Sequence, residues 1–274
     1  MTGPIEQISS PGGRAGRPTG GRPGSRLGRR YPAQLGWLAA RFRTGAPTGL
    51  ALTAAVVTFA GCAWSLGWLT FSVVNHTSIA HNDPRVLSFF VSHRASWLTG
   101  LARTLTWLGS GFVLWPVVII AGLGLWRRRR RWPPAILPTL ALAGAAAWSL
   151  LIKALAGRPR PPAVYWLSHV DGWSYPSQHA AQALATWGML ALMVAAGRAL
   201  RTRVLLVTGA ALIALVVGLT RLYLAAHWLT DVLAGWALAG VWDSLLIIAY
   251  LLTRQVTDAS SEREARPAAP RAAA

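Results

Sequence analysis

Acidic side chains are scarce in this chain: among its 274 residues, 8 are Asp or Glu, whereas 27 are Lys or Arg. Charged residues make up only 13% of the sequence and hydrophobic residues 53%, a balance that is unusual for a water-soluble domain of this length. So few carboxylates also make a site that holds two divalent ions difficult to assemble. The composition therefore favours a protein that lies in a membrane.

Cysteine is nearly absent, because Cys62 is the only one and lies inside an apolar run. A single cysteine excludes disulfides within the chain and metal sites built from several Cys ligands. The net charge of +19 suggests nucleic acid at first, but the arginines stand in blocks between apolar runs rather than along one polar face. We therefore expect no nucleic-acid partner and no cofactor.

Residues 1–34 and the C-terminal end of the chain carry almost no large apolar side chains that could build a core. Residues 1–46 are rich in Arg, Gly and Pro, and residues 255–274 are rich in Ala, Arg and small polar residues. We predict that both ends are disordered tails and that the first is cytoplasmic. The intervening residues 47–254 are predicted to form one membrane domain.

Apolar runs fill the chain between these tails, at residues 48–71, 101–126, 134–152, 180–196, 204–219 and 232–252. Each run is close to the roughly 20 residues that a helix needs to cross about 30 Å of hydrocarbon. Tryptophans near several run ends are typical of the aromatic belts at membrane interfaces. The pattern predicts an all-α integral membrane protein with six transmembrane helices.

Clusters of arginine predict the orientation of these helices. All of them fall on one side of a six-span protein: Arg41 and Arg43, residues 127–131, Arg198, Arg201 and Arg203, and Arg254. The positive-inside bias places this side, with both termini, in the cytoplasm. Segments 72–100, 153–179 and 220–231 then face the outside of the plasma membrane, and helical spacing in the first predicts an amphipathic helix at the interface.

Cations on the outward side break the positive-inside bias, and the two later outward segments hold four of them: Lys153, Arg158, Arg160 and Arg221. Asp171 and Asp231 are the only carboxylates in the two later outward segments. An anionic ligand would balance the excess positive charge. The alternative is that these long side chains extend to lipid phosphates at helix ends.

This region contains three motifs of polar and charged residues, in this order along the chain: Lys153-x6-Arg160-Pro161, Pro176-Ser177-Gln178-His179, and Thr220-Arg221-x5-His227-x3-Asp231. Together they resemble the KxxxxxxRP, PSGH and SRxxxxxHxxxD motifs of the type 2 phosphatidic acid phosphatase superfamily. Gln178 and Thr220 depart from that pattern, since the family usually has Gly and Ser there. Thr220 keeps a hydroxyl, but Gln178 would be strained if its backbone required a positive φ.

The same residues suit phosphoryl transfer, which needs positive charge around the phosphoryl oxygens, an in-line nucleophile and a proton for the leaving group. We assign His227 as the nucleophile, because Asp231, four residues on, can hold its other ring nitrogen. His179, on another segment, is then the general acid. The resemblance implies the same roles. Phosphate binding is assigned to Lys153, Arg160, Arg221, Ser177 and Gln178.

Other interpretations of these residues stay open. Each histidine could bind a carbonyl or a lipid headgroup at a helix end, and Ser177 could be a helix N-cap. His179, His227 and Asp231 could also form a metal site with two histidines and one carboxylate, although the nearby cations argue against it and we predict no metal.

The leading functional hypothesis is a metal-independent phosphatase acting on a lipid phosphate or diphosphate at the outer membrane face. Undecaprenyl diphosphate, phosphatidic acid and phosphatidylglycerol phosphate all carry a suitable group. The resemblance also extends to vanadium-dependent haloperoxidases, which share the helical core, but six spans disfavour that activity. A non-catalytic lipid-phosphate-binding membrane protein is the third hypothesis.

Overall fold

A computed structural model of the protein describes residues 47–130 and 133–264. The predicted N-terminal tail, residues 1–46, lies outside the described residues, as do residues 265–274 of the predicted C-terminal tail. Within the described part the chain forms α-helices, 3-10 turns and loops, without strands. The predicted all-α class is confirmed.

Eight α-helices follow one another in the described residues: α1 Pro47–Val74, α2 Asp83–Ser92, α3 Ser96–Leu105, α4 Gly111–Arg129, α5 Pro133–Ala156, α6 Gln178–Ala195, α7 Leu200–Tyr223 and α8 Leu229–Glu264. Short 3-10 turns lie at Ser78–Asn82, Thr106–Gly109 and Ala163–Tyr165. The helix α2 falls in the segment where an amphipathic helix was predicted.

Five of these helices, α1, α4, α5, α7 and α8, are long and apolar enough to cross a membrane. The predicted number of six is therefore not confirmed. The remaining predicted span, residues 180–196, does form a helix, α6, but α6 begins with polar residues and is only 18 residues long. Its neighbours are other helices, α4, α5, α7 and α8, so much of its surface contacts protein.

The second predicted span, residues 101–126, is wrong in its boundaries. The structure divides it into the end of α3, a 3-10 turn and α4. Ser110 has extended backbone dihedrals at this break, and its side chain accepts a hydrogen bond from the Phe112 N–H at 3.3 Å, which caps the start of α4. The hydrophobic pattern continues through the break because α3, the turn and α4 are all apolar.

The start of α6 is packed tightly against its neighbours through two glycines. A Cβ atom on Gly109 would lie 2.7 Å from the backbone oxygen of His179, and one on Gly235 would lie 2.5 Å from the backbone oxygen of Ser177. Small residues allow such close approach between helices in a membrane protein. These contacts hold the backbone that carries the second motif against the 3-10 turn on one side and α8 on the other.

The last helix continues past residue 254, where the tail was predicted to begin, as far as Glu264. The prediction relied on a drop in hydrophobicity, which marks where apolar packing ends. A helix can extend beyond that point because its backbone hydrogen bonds are internal to the segment.

Candidate active site

A cavity of about 860 Å³ opens between the outward-predicted loops and the ends of α5, α6 and α7. Side chains from all three motifs line it: Lys153, Arg160, Gln178, His179, Arg221 and His227. The first motif ends α5, the second begins α6, and the third spans the connection from α7 to α8. The fold therefore brings together at one cavity residues that are far apart in sequence.

His227 and Asp231 form a buried pair at one wall of this cavity. The His227 Nδ1 atom lies 3.3 Å from the Asp231 Oδ2 atom, and the two side chains are 3% and 0% exposed. This carboxylate oxygen also accepts hydrogen bonds from the Ser174 hydroxyl and, at 2.9 Å, from the Trp228 N–H. Because a carboxylate is acceptor-only, Nδ1 carries the proton and the Nε2 atom is left with a free electron pair.

Arg160 lies on the other side of the imidazole ring. Its Nη1 atom is 3.3 Å from the His227 Nε2 atom and donates to the Ala226 carbonyl at 2.7 Å. Its remaining nitrogens donate to the carbonyls of Asp171 and Gly172. The guanidinium is thus held by backbone oxygens rather than by a carboxylate, so its positive charge remains available for an anion in the cavity.

The other two motif cations, Lys153 and Arg221, also bond neutral oxygens rather than carboxylates. Lys153 Nζ donates to the carbonyls of Trp173 and Ser174, at 2.7 and 3.1 Å. Arg221 is 5% exposed, and its Nη1 atom donates to the Thr106 hydroxyl at 3.0 Å, whereas its Nε atom has no partner in the described part of the chain. Neither forms an ion pair there with a carboxylate, so three cations meet at the cavity with their charges unpaired.

Both histidines of the site are neutral in this arrangement. Burial lowers the pKa of His227 to about 3, although Asp231 opposes the shift. Burial also lowers the pKa of His179 well below its usual value, and the nearby Arg221, His227, Lys153 and Arg160 lower it further. A bound anion would offset those cations and favour the protonated form of His179.

The second motif differs in part from the sequence-based prediction. Gln178 lines the cavity as the first residue of α6, and its φ is not positive, so it causes no backbone strain. Ser177 is fully buried and does not line the cavity. Its N–H donates to the Asp231 carbonyl at 2.9 Å, and its hydroxyl makes no cap hydrogen bond to α6. Its assigned role in phosphate binding stays a prediction.

Sequence reasoning missed several residues around the pair. Arg158 was left without a defined role, but its guanidinium bonds the Asp231 Oδ1 atom and the Asp83 Oδ2 atom, each at 2.6 Å. Ser174 and Thr106, which bond Asp231 and Arg221, were not considered. A usable signal existed for Asp83, since any acid in so acid-poor a chain is a candidate partner for an outward arginine.

A metal interpretation gains no support from the donor set. Within residues 47–130 and 133–264, no three His, Cys, Asp or Glu side chains converge so that they could hold a metal ion. The Asp231 carboxylate is already occupied by four donors, and Arg160 stands at the free nitrogen of His227.

Comparisons with known proteins agree with the motifs. Residues 134–255 match the family model of the PAP2 superfamily. Phosphatidylglycerophosphatase B of Bacillus subtilis (strain 168) is 28% identical over 178 residues, which cover 63% of this chain and 86% of that protein.

A crystal structure of a transmembrane PAP2-type phosphatidylglycerolphosphate phosphatase from Bacillus subtilis has the same fold. It superposes with a TM-score of 0.63 at 24% identity and covers 73% of this chain and 96% of the other. With its apolar helices, the protein is a multi-pass membrane protein. The resemblance of the three motifs to the PAP2 (type 2 phosphatidic acid phosphatase) superfamily is confirmed by this match over residues 134–255.

Proposed function

We propose that this protein is a lipid phosphatase that hydrolyses a phosphate ester or diphosphate through a phosphohistidine intermediate. The observation that carries the proposal is the His227–Asp231 pair beside three cations whose charges no carboxylate neutralises. The match to the PAP2 superfamily model and the similarity to a phosphatidylglycerophosphatase support hydrolysis of a phosphoric ester bond. Release of inorganic phosphate from lipid phosphates by the purified protein in detergent micelles tests it, and an inactive protein would contradict it.

In the first step the electron pair on His227 Nε2 attacks phosphorus, and the bond from phosphorus to the lipid oxygen breaks. His179 gives its proton to the departing oxygen, so the lipid leaves as a neutral alcohol or as a phosphate with one more proton. Lys153, Arg160 and Arg221 stabilise the negative charge on the three equatorial oxygens. Asp231 stabilises the positive charge that develops on the imidazole.

In the second step water attacks the phosphohistidine and the bond between phosphorus and nitrogen breaks. The proton lost by water returns to His179, which restores the starting state, and inorganic phosphate leaves. The charges of the free site suit both steps: His227 is neutral and can attack, whereas His179 becomes protonated when the substrate anion offsets the surrounding cations.

The cavity has room for more than a phosphate group, at about 860 Å³. It can therefore accept part of a headgroup with the phosphate, while the acyl or prenyl chains stay in the bilayer. Because the similar protein from Bacillus subtilis is a phosphatidylglycerophosphatase, phosphatidylglycerol phosphate is the first substrate to test. Phosphatidic acid and undecaprenyl diphosphate should be tested in parallel. The initial rates of phosphate release from these three lipids rank them directly.

The reaction is proposed to need no metal ion. We expect activity to survive EDTA, because the cations that stabilise the transition state are side chains. Vanadate is expected to inhibit, since it adopts the trigonal-bipyramidal geometry of the transition state among the same cations. Phosphate release with and without each reagent checks this, and an activity that EDTA removes and a divalent ion restores would support the metal-site alternative.

The active site is proposed to face the outside of the plasma membrane. Reporter domains inserted after Arg198, in the loop between α6 and α7, and after the last helix are expected to report the cytoplasm, and one near Ser168 the outside, because the arginine clusters favour the cytoplasmic side. A cytoplasmic signal from the Ser168 fusion would place hydrolysis on the inner face.

Two other functions give different results in the same assays. A haloperoxidase would oxidise halide when loaded with vanadate, and a non-catalytic binding protein would bind lipid phosphate without turnover. Neither is favoured by a specific feature of the cavity, whereas the free electron pair of His227 beside a candidate proton donor favours phosphoryl transfer.

A further inference from the structure

A second carboxylate lies behind the His227–Asp231 pair. Asp83, the first residue of α2, is 2% exposed and lies far along the chain from the three motifs. Its Oδ2 atom bonds the Arg158 guanidinium at 2.6 Å, and Arg158 in turn bonds the Asp231 Oδ1 atom at 2.6 Å. One cation is therefore shared between two buried carboxylates.

Asp83 also caps the helix that carries Asp231. Its Oδ1 atom accepts the Thr230 N–H at 3.0 Å, and its Oδ2 atom accepts the Thr230 hydroxyl at 2.6 Å. Thr230 lies in the first turn of α8, where backbone N–H groups have no partner within the helix. A carboxylate at this end is favoured both by those free donors and by the helix dipole.

We infer that Asp83 is a positioning residue for catalysis that acts on His227 through Arg158 and Asp231. This inference rests on the proposed function. With Asp83 present, two carboxylates and one guanidinium carry a net charge of about −1. Asp231 thus keeps a negative field at the imidazole, which becomes positive when its nitrogen bonds phosphorus. Without the charge of Asp83, Arg158 would neutralise Asp231 alone, and that stabilisation would weaken.

The location of Asp83 separates this role from substrate binding. Neither Asp83 nor Arg158 lines the cavity, so neither is placed to touch the phosphate. Loss of the Asp83 charge also makes the surroundings of the cavity more positive, which does not disfavour an anionic substrate. The inference therefore predicts a change in kcat without a rise in KM.

The test is steady-state kinetics of Asp83→Asn against the best lipid phosphate. Asparagine has nearly the same shape and keeps an acceptor for Thr230, but it lacks the charge. We expect kcat to fall about tenfold or more with KM raised no more than about twofold. The matched control is Arg85→Gln, which removes a charge from the exposed face of the same helix and should behave like wild type.

A double variant distinguishes the charge from a general packing effect. Asp83→Asn combined with Arg158→Gln returns the net charge of the group to about −1, because one acid and one base are lost together. We expect its kcat to exceed that of Asp83→Asn alone by at least about threefold. If Asp83 acts only by holding Arg158 and Thr230 in place, removing Arg158 as well should restore nothing, so a double variant no faster than Asp83→Asn would contradict the role of the charge.

Several outcomes would overturn the inference while leaving the phosphatase proposal intact. In each case the wild type is active. Asp83→Asn could have an unchanged kcat, its KM could rise as much as its kcat falls, or Arg85→Gln could lose as much kcat as Asp83→Asn. If Asp83→Asn does not accumulate in membranes, Arg158→Lys replaces it. One ammonium cannot bridge two carboxylates as a guanidinium does, so kcat should again fall at unchanged KM. A wild type without phosphatase activity would refute the proposed function itself.

Discussion

Replacing His227 by alanine is expected to lower phosphate release at least about ten-thousandfold, because the variant has no nucleophile at the centre of the three cations. The cavity and its positive charge remain, so the variant should still bind the substrate. Kinetics with the best lipid phosphate, together with a binding measurement using vanadate, checks both parts.

Chemical trapping identifies the nucleophile independently. Rapid acid-free denaturation after mixing with ³²P-labelled substrate should leave label on the wild type and none on His227→Ala. Asp231→Asn is the matched comparison: it keeps the hydrogen-bonding shape but loses the charge, so partial activity is expected. Label recovered on Ser177 would refute the assignment, although the buried position of that hydroxyl argues against such a result.

Replacing His179 by alanine is expected to lower kcat about a thousandfold for a lipid phosphate, since an aliphatic alcohol leaves poorly without a proton. With p-nitrophenyl phosphate the same variant should lose much less activity, because nitrophenolate leaves readily without protonation. The ratio of the two losses is therefore the measurement that identifies a general acid.

Gln178→Ala provides the control for that comparison. Gln178 lines the same cavity one residue earlier, but it has no proton to transfer, so any loss should be similar for both substrates. An equal loss for both substrates in His179→Ala would show that His179 only binds phosphate. Trapping should then still label His227, which keeps the two predictions independent.

The sequence alone indicated which residues meet at the cavity, because motif spacing carries that information. Lys153 ends one span and Arg160 follows it in the next loop, His179 begins another helix, and Arg221 and His227 flank a short turn. Once the spans are antiparallel neighbours, their ends meet on one membrane side. The structure brings these residues to one cavity, whereas Ser177, which was also assigned to phosphate binding, does not line it.

The hydrophobic pattern alone could not predict how many helices cross the membrane, and the reason is physical. Hydropathy reports how apolar a segment is, not whether lipid or protein surrounds it. The helix α6 is surrounded by neighbouring helices and carries the polar residues Gln178, His179 and Gln182 near its start. It therefore differs in composition from the five helices that are long and apolar enough to cross a membrane. The break at Ser110 was hidden for the converse reason, since both sides of it are apolar.

What the sequence determined by itself is the membrane class, the helical fold and the motif residues, because periodicity, run length and spacing are local properties of a chain. Tertiary structure alone decided which charges are paired. Arg158 and Asp83 are 75 residues apart, and no local pattern connects them. Their contact exists because packing places the start of α2 against the start of α8, and a buried charge must find its partner wherever the fold brings one.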